Sequence, residues 1–232
     1  MIPEEKIIVA LDMQKPDAFK KVLEALKGRK VWVKIGMELF YTMGPQAIEE
    51  AKKYDLKVFL DLKLHDIPTT VENALMSLVK LPIDMINIHA AGGAEMMKRA
   101  SGVVRASAYR PCLIAVTQLT STTQPQMNTE QKIQGTVQDS VLGYAKLALD
   151  SGCDGVVCSP HEVKSVKALC TPKFLTITPG IRPIGTDMND QKRVTTPQDA
   201  LRMGTDFMVI GRPITQAPSP LLALVKIIEG DR

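Results

Sequence analysis

A rhythm in the chain limits the folds open to it more than any single motif does. Eight short runs rich in Ile, Val, Leu and Phe recur at fairly even spacing: KIIVALD (6 to 12), VWVKIG (31 to 36), KVFLDLK (57 to 63), DMINIHA (84 to 90), CLIAVTQ (112 to 118), GVVCS (155 to 159), FLTITPG (174 to 180) and FMVIGRP (207 to 213). Helical periodicity fills the intervals, at 16 to 27, 44 to 53, 68 to 80, 93 to 107, 129 to 150, 160 to 169, 197 to 203 and 216 to 229, so every strand is followed by a helix. Near-continuous apolar strands that alternate with helices imply a parallel sheet whose outer face is covered by its own crossovers. Eight such units suggest a closed (β/α)8 barrel of TIM type, class α/β, forming one domain over residues 1 to 232.

The punctuation agrees with this segmentation. Pro16, Pro45, Pro68, Pro160 and Pro197 stand near helix starts, where a missing N–H costs nothing, and Gly28 and Gly204 stand just past helix ends. The structural alternative is a doubly wound open sheet. No G-x-G spacing follows the first strand or occurs elsewhere in the chain, so a dinucleotide-binding sheet loses its main support.

Composition removes several classes of function. The formal charge is only +4 and the basic residues are scattered among acids, which gives no nucleic-acid footprint and suits a small anionic ligand better. The best candidate for a membrane span is interrupted by Lys80 and Asp84, so no membrane association is expected. Cys112, Cys153, Cys158 and Cys170 form neither a CxxC pair nor a zinc-finger rhythm, and MIPEEKIIVALD lacks the layout of a signal peptide. Four reduced thiols in a cytoplasmic protein are the expectation.

In a parallel barrel the carboxyl ends of the strands surround one mouth, where such proteins place their chemistry. The polar residues at those ends are Asp12, Lys34, Asp61 and Lys63, Asn87 and His89, Thr117, Ser159, Arg182, and Gly211 with Arg212. A buried charge without a partner costs several kcal/mol, so Lys34 and Lys63, set in apolar strands, must meet anions. Asp12 and Asp61 are the available ones. Strand side chains alternate faces, so Asp61 and Lys63 point the same way, whereas Asp66 lies past the strand end and is free of that constraint. It can face the same site or a neighbouring subunit. Structural ion pairs filling the barrel interior are the plainer explanation of such charges.

The loops after strands seven and eight often bind phosphate in these barrels, and here they carry Arg182 and the pair Gly211, Arg212. Glycine lets the backbone approach an anion, and arginine offers a planar fork to its oxygens. The long polar connection 182 to 196 suggests a lid, and LTST (119 to 122) supplies hydroxyls at the end of strand five. Three other signals fail. Lys63 puts a positive charge among Asp61, His65 and Asp66, against a metal. HEVKS (161 to 165) has Ser165 where a zinc-protease motif needs its second histidine. GIRPIGT (180 to 186) lacks the P-loop lysine.

Several stretches match one known family, each at the end of a different strand: DLKLHDIPTTV, ALD (10 to 12), VKIGMELF (33 to 40), NIHAAGG (87 to 93), TQLTST (117 to 122), TPGIR (178 to 182) and VIGRPIT (209 to 215). The chain resembles the bacterial orotidine 5'-phosphate decarboxylases over nearly its full length, with no departure at the charged positions. The resemblance implies a homodimeric barrel that converts orotidine 5'-monophosphate to uridine 5'-monophosphate and carbon dioxide, the last step of pyrimidine nucleotide synthesis, with no metal or organic cofactor. It makes Lys63 the proton donor, sets Asp61 against the departing carboxylate and brings Asp66 and Thr70 from the partner subunit. By the same resemblance Lys34 and Asp12 complete the charge array and hold the ribose, and Ile67 and Thr120 contact the ligand, with Ser121 as a second hydroxyl. Gln191 meets the phosphate and the base when the lid closes.

The residues suit that chemistry. Loss of the carboxylate leaves electron density at a ring carbon with no carbonyl placed to absorb it, so fixed charges must lower the barrier. An ammonium about 4 Å from a carboxylate interacts by roughly 4 kcal/mol at an effective dielectric near 20. Flanking aspartates therefore keep Lys63 as a proton-bearing acid. Two other readings remain: a magnesium-dependent decarboxylase or aldolase of a keto sugar phosphate, sharing the Asp-x-Lys-x-x-Asp pattern of strand three, and a non-catalytic barrel that binds a nucleotide. The second has no need of Lys63.

Overall fold

The computed structural model describes residues 1–183 and 195–230. Its eight strands are Ile7–Ala10 (β1), Trp32–Gly36 (β2), Lys57–Leu64 (β3), Met85–His89 (β4), Cys112–Val116 (β5), Gly155–Val157 (β6), Leu175–Thr178 (β7) and Phe207–Ile210 (β8). They pair in parallel in chain order, and β1 also pairs with β8, which closes the barrel.

The helices of the outer layer are Pro16–Ala25 (α1), Met37–Met43 (α2), Gln46–Lys52 (α3), Pro68–Leu78 (α4), Gly93–Ala106 (α5), Gln124–Thr129 (α6), Val137–Asp150 (α7), Val163–Leu169 (α8), Pro197–Met203 (α9), Arg212–Thr215 (α10) and Pro220–Glu229 (α11). None among the described residues is long and apolar enough to cross a membrane.

The two-residue period of the strands sorts their side chains into two cores. Residues such as Val9, Val33, Val58, Leu60 and Ile86 point outward and pack beneath the helices in the larger cluster. Ile8, Ala10, Trp32, Phe59, Met85, Ile114, Ile177 and Val209 point inward and fill the barrel. The mouth thus rests on an apolar floor, which excludes water from below.

The expected elements are present, and several boundaries move for local reasons. The segment 44 to 53 is preceded by an extra helix: α2 starts directly after β2, Gly44 turns the chain at φ 61°, and Pro45 leads into α3. The helix expected over 129 to 150 starts only at Val137, as α7, and the separate short helix α6 ends where that stretch begins. Gly135 (φ 89°) lies in the connection between them, and Thr123 and Thr136 each close a reciprocal cap with the residue three positions on, Gln126 and Asp139. Each cap satisfies N–H groups that the start of its helix leaves without an intrahelical partner. Pro16, Pro68 and Pro197 occupy first turns, and Gly204 ends α9 in the left-handed conformation, as the sequence reading expects.

Candidate active site

β3 carries the centre of the site. Asp61 is the inward residue one period above Phe59, which belongs to the barrel floor, and it is 6% exposed. Its Oδ2 lies 3.1 Å from Lys34 Nζ, and its Oδ1 lies 2.7 Å from Lys63 Nζ. Lys34 Nζ reaches on to Asp12 Oδ1 at 2.8 Å. The four groups form a chain of alternating sign, Asp12 to Lys34 to Asp61 to Lys63, running from buried to accessible at both ends: Asp12 is half-exposed and Lys63 is about a quarter exposed. Gly36 makes room for it, since a Cβ there would stand 3.0 Å from both Asp12 Oδ1 and Lys34 Nζ.

The electrostatics follow from this order. Burial alone pushes the Asp61 carboxyl up, but Lys34, Lys63 and hydrogen bonds from Lys63 and Asn87 outweigh it and hold its pKa at about 2. Burial works against the Lys34 ammonium, and the adjoining Asp61 and Asp12 carboxylates overcome it, so its pKa is raised. His89 is shifted down by burial and by the neighbouring His65 and Lys63. Its ring lies beside that of His65, with centroids 5.4 Å apart.

One stability prediction arises here. Asp61 titrates near 3.8 when unperturbed and near 2 in the fold. That gap is worth about 2 kcal/mol, fully present above the unfolded value and lost as pH falls through the folded one. Urea unfolding from pH 5 down to pH 2 should therefore show wild type losing about 2 kcal/mol more stability than Asp61→Asn, which has no carboxyl to protonate. Parallel profiles for the two proteins would contradict this assignment.

Lys63 sits in a strained backbone. Its φ is 51°, in the left-handed region that costs an L residue roughly 1 to 2 kcal/mol. The ladder to β4 is irregular at this point, with Leu60 pairing to Ile86 and Leu64 to Ile88. The Lys63 N–H donates instead to Asn87 Oδ1 at 2.8 Å, and Asn87 Nδ2 donates to Asp61 Oδ1 at 2.6 Å.

A cavity of about 500 Å³ opens above the floor, and it gathers most of the expected residues on one wall or another. Asp12, Lys34, Asp61 and Lys63 form the charged wall. Arg182, Gly211 and Arg212 come from beyond β7 and β8, joined by Thr215 and Gln216 of the following turn. Thr120 and Ser121 line it after β5. Arg182 is nearly buried, and its Nη1 donates to the Ile181 carbonyl at 2.9 Å. Among the described residues no group of three His, Cys, Asp or Glu side chains converges on one point.

Three expected contacts do not line this cavity. Asp66, Ile67 and Thr70 follow β3 and are exposed, and Asp66 Oδ1 accepts from the Ile67 N–H at 2.7 Å. Gln191 and most of the 182 to 196 connection lie outside the described residues.

Two strand-end residues named from the sequence play other parts. Thr117 is out of phase with the inward residues Ile114 and Val116, and its hydroxyl donates to the Val157 carbonyl at 2.7 Å. Gln118, in phase with them, lines the cavity in its place. Ser159 is fully buried, and its N–H donates to Glu162. Asn87 is polar and lies within an apolar strand, a signal for a partner across the sheet. Counting by twos from Met85 would have pointed it inward toward Asp61.

Comparison with known proteins bears on what this cavity is. A family model described as "Orotidine 5'-phosphate decarboxylase / HUMPS family" matches residues 5–227. The chain is 51% identical over 221 residues to the orotidine 5'-phosphate decarboxylase of Streptococcus uberis, covering 95% of each. It is 48% identical over 231 residues to that of Lactococcus lactis subsp. cremoris, covering 97% of this chain and 98% of the relative. A crystal structure of orotidine 5'-phosphate decarboxylase from Lactobacillus acidophilus is similar with a TM-score of 0.83 at 40% identity, over 96% of this chain and 97% of that one. With a match that spans all eight strands and every wall of the cavity, this chain belongs to the orotidine 5'-phosphate decarboxylase / HUMPS family.

Proposed function

We propose that this enzyme removes the carboxylate of orotidine 5'-monophosphate as carbon dioxide, giving uridine 5'-monophosphate in pyrimidine nucleotide synthesis, with Lys63 as the proton donor. The observation that carries the reading is the alternating array of Asp12, Lys34, Asp61 and Lys63, set in the same cavity as Arg182 and Arg212. A barrel that only bound a nucleotide would need the arginines and not an alternating row of four charges with a buried centre.

The chemistry balances on these groups. The bond between the ring carbon and the carboxylate breaks, its electron pair stays on the ring carbon, and neutral carbon dioxide leaves. Lys63 stands as an ammonium beside Asp61 and gives its proton to that carbon. The amine left behind is reprotonated from solvent. Positive charge already in place when the carbanion develops needs no reorganisation, and that preorganisation is the main source of the rate. Asp61 lies against the departing carboxylate, but the stabilised carbanion carries more of the effect than repulsion in the bound substrate does.

The other assignments follow the walls of the cavity. Arg182, Gly211 and Arg212 take the phosphate, Asp12 and Lys34 the ribose, Thr120 and Ser121 the pyrimidine edge, and Gln191 both phosphate and base. Asp66, Ile67 and Thr70 serve the cavity of a second copy in a homodimer. Exposed apolar side chains on the helices after the paired strands β2 and β3 support that assembly: Met37 and Tyr41 on α2, and Met76 on α4, with Ile67 just before it. The same reading assigns the enzyme to the cytoplasm, where a charged nucleotide substrate is held.

The test is the loss of orotidine 5'-monophosphate absorbance with purified protein in excess EDTA. Turnover that resists the chelator is expected. Absence of turnover by the wild type, with activity instead on a keto sugar phosphate when magnesium is added, would overturn the assignment.

A further inference from the structure

We infer that Asn87 is a positioning residue for this chemistry, its side-chain amide replacing the strand ladder at the β3 bulge and thereby fixing where the Lys63 ammonium stands against Asp61. The inference rests on the decarboxylation proposed above.

Leu60 pairs with Ile86 and Leu64 with Ile88, so Asp61, Leu62 and Lys63 together stand opposite the single residue Asn87. Backbone alone cannot pair three residues with one, and a buried N–H left without an acceptor is costly. Asn87 Oδ1 takes the Lys63 N–H at 2.8 Å, at the residue whose φ is 51°. The other end of the same amide donates to Asp61 Oδ1 at 2.6 Å, the oxygen that also receives Lys63 Nζ at 2.7 Å.

One planar group therefore ties the backbone of Lys63 to the carboxylate that its own side chain meets. A neutral amide does both at any pH, because it offers an acceptor and a donor in fixed geometry. The charged and titratable groups around it are Asp61 and Lys63 on β3, Lys34 on β2 and His89 on β4. A carboxylate in place of the amide would face Asp61, and an apolar side chain would leave the Lys63 N–H without its acceptor. Asn87 is fully buried and does not line the cavity, so it acts through Lys63 and Asp61 and not on the substrate.

The experiment uses the full chain with Asn87→Leu and Asn87→Asp. For Asn87→Leu, kcat for orotidine 5'-monophosphate should fall about 100-fold while KM stays within about threefold, the pattern of a displaced reacting group and not of lost binding. In Asn87→Asp one oxygen still accepts from Lys63, but the other donates to Asp61 only when protonated. Two carboxyl groups at such a distance share one proton. Its kcat should therefore recover as pH is lowered, along a limb that the wild type lacks.

A merely structural asparagine would lower the melting temperature of both variants without changing kcat per folded enzyme or adding that limb, and this result would overturn the inference. Should Asn87→Leu fail to fold, the pH limb of Asn87→Asp decides. Crystal structures of whichever variants fold give a readout that does not depend on turnover. Lys63 is expected to leave its left-handed conformation or its contact with Asp61, and an unchanged Lys63 in the variants would equally overturn the inference. Failure of the proposed reaction itself would appear separately, as a wild type that does not consume the substrate.

Discussion

Lys63→Ala is expected to lower kcat for orotidine 5'-monophosphate by at least about 10,000-fold, because on the proposed mechanism the substitution removes two contributions at once. A positioned general acid is worth about 100- to 10,000-fold, and a charge aimed at where electron density develops adds about 100- to 1,000-fold. The fold should tolerate the change. Asp61 keeps Lys34 and Asn87 as partners, and the Lys63 side chain fills no core position, being about a quarter exposed at the cavity wall. Nucleotide binding should persist, since the arginines on the opposite wall are untouched. The measurement is kcat and KM alongside a far-UV spectrum and melting temperature. A variant that retains activity within about tenfold of wild type would remove Lys63 from the role of proton donor.

Mixing two inactive variants restores activity if Asp66 serves the partner's site. Asp66 is exposed and outside the cavity of its own chain, directly after the strand that bears Asp61 and Lys63. Suppose that each site combines Lys63 of one subunit with Asp66 of the other. Then Lys63→Ala and Asp66→Asn homodimers are both impaired at every site. A heterodimer has one site in which both residues are native and one in which both are changed. Random reassortment in a two-fold dimer makes half the molecules heterodimers, so about a quarter of the wild-type activity should return. Lys63→Ala mixed with Asp61→Asn is the control, because both residues belong to one strand and one cavity. No recovery in the first mixture, with a dimer verified by light scattering, would assign Asp66 to its own subunit or to no catalytic part.

Much of this architecture is legible in the linear sequence because two periods carry it. Continuous apolar runs followed by helical stretches indicate a covered parallel sheet, and eight repeats of that unit leave little but a barrel. A lysine inside an apolar strand indicates an anion nearby. Lys34 and Lys63 announced the charge array in this way, and Asp12 and Asp61 are their partners in the fold. Where the reading missed, the signal was present in part. At the end of β5 both Thr117 and Gln118 are polar, and counting by twos favours Gln118; Gly135 with Thr136 marks a helix start that periodicity alone sets too early.

The sequence by itself determined the eight strands and their alternation with helices, the inward phase of Asp61 and Lys63, and the kind of chemistry that such charges serve. All of these depend on residues close together in the chain. The tertiary structure decided which partner each charge meets. It made Lys34 the bridge between Asp12 and Asp61, set Lys63 in a left-handed bulge, and gave Asn87 to that bulge as its hydrogen-bond partner. Register between parallel strands is fixed by packing and pairing across crossovers, more than twenty residues in the case of Lys63 and Asn87. Local periodicity is the same whichever register the strands adopt, so only closure of the barrel chooses among them.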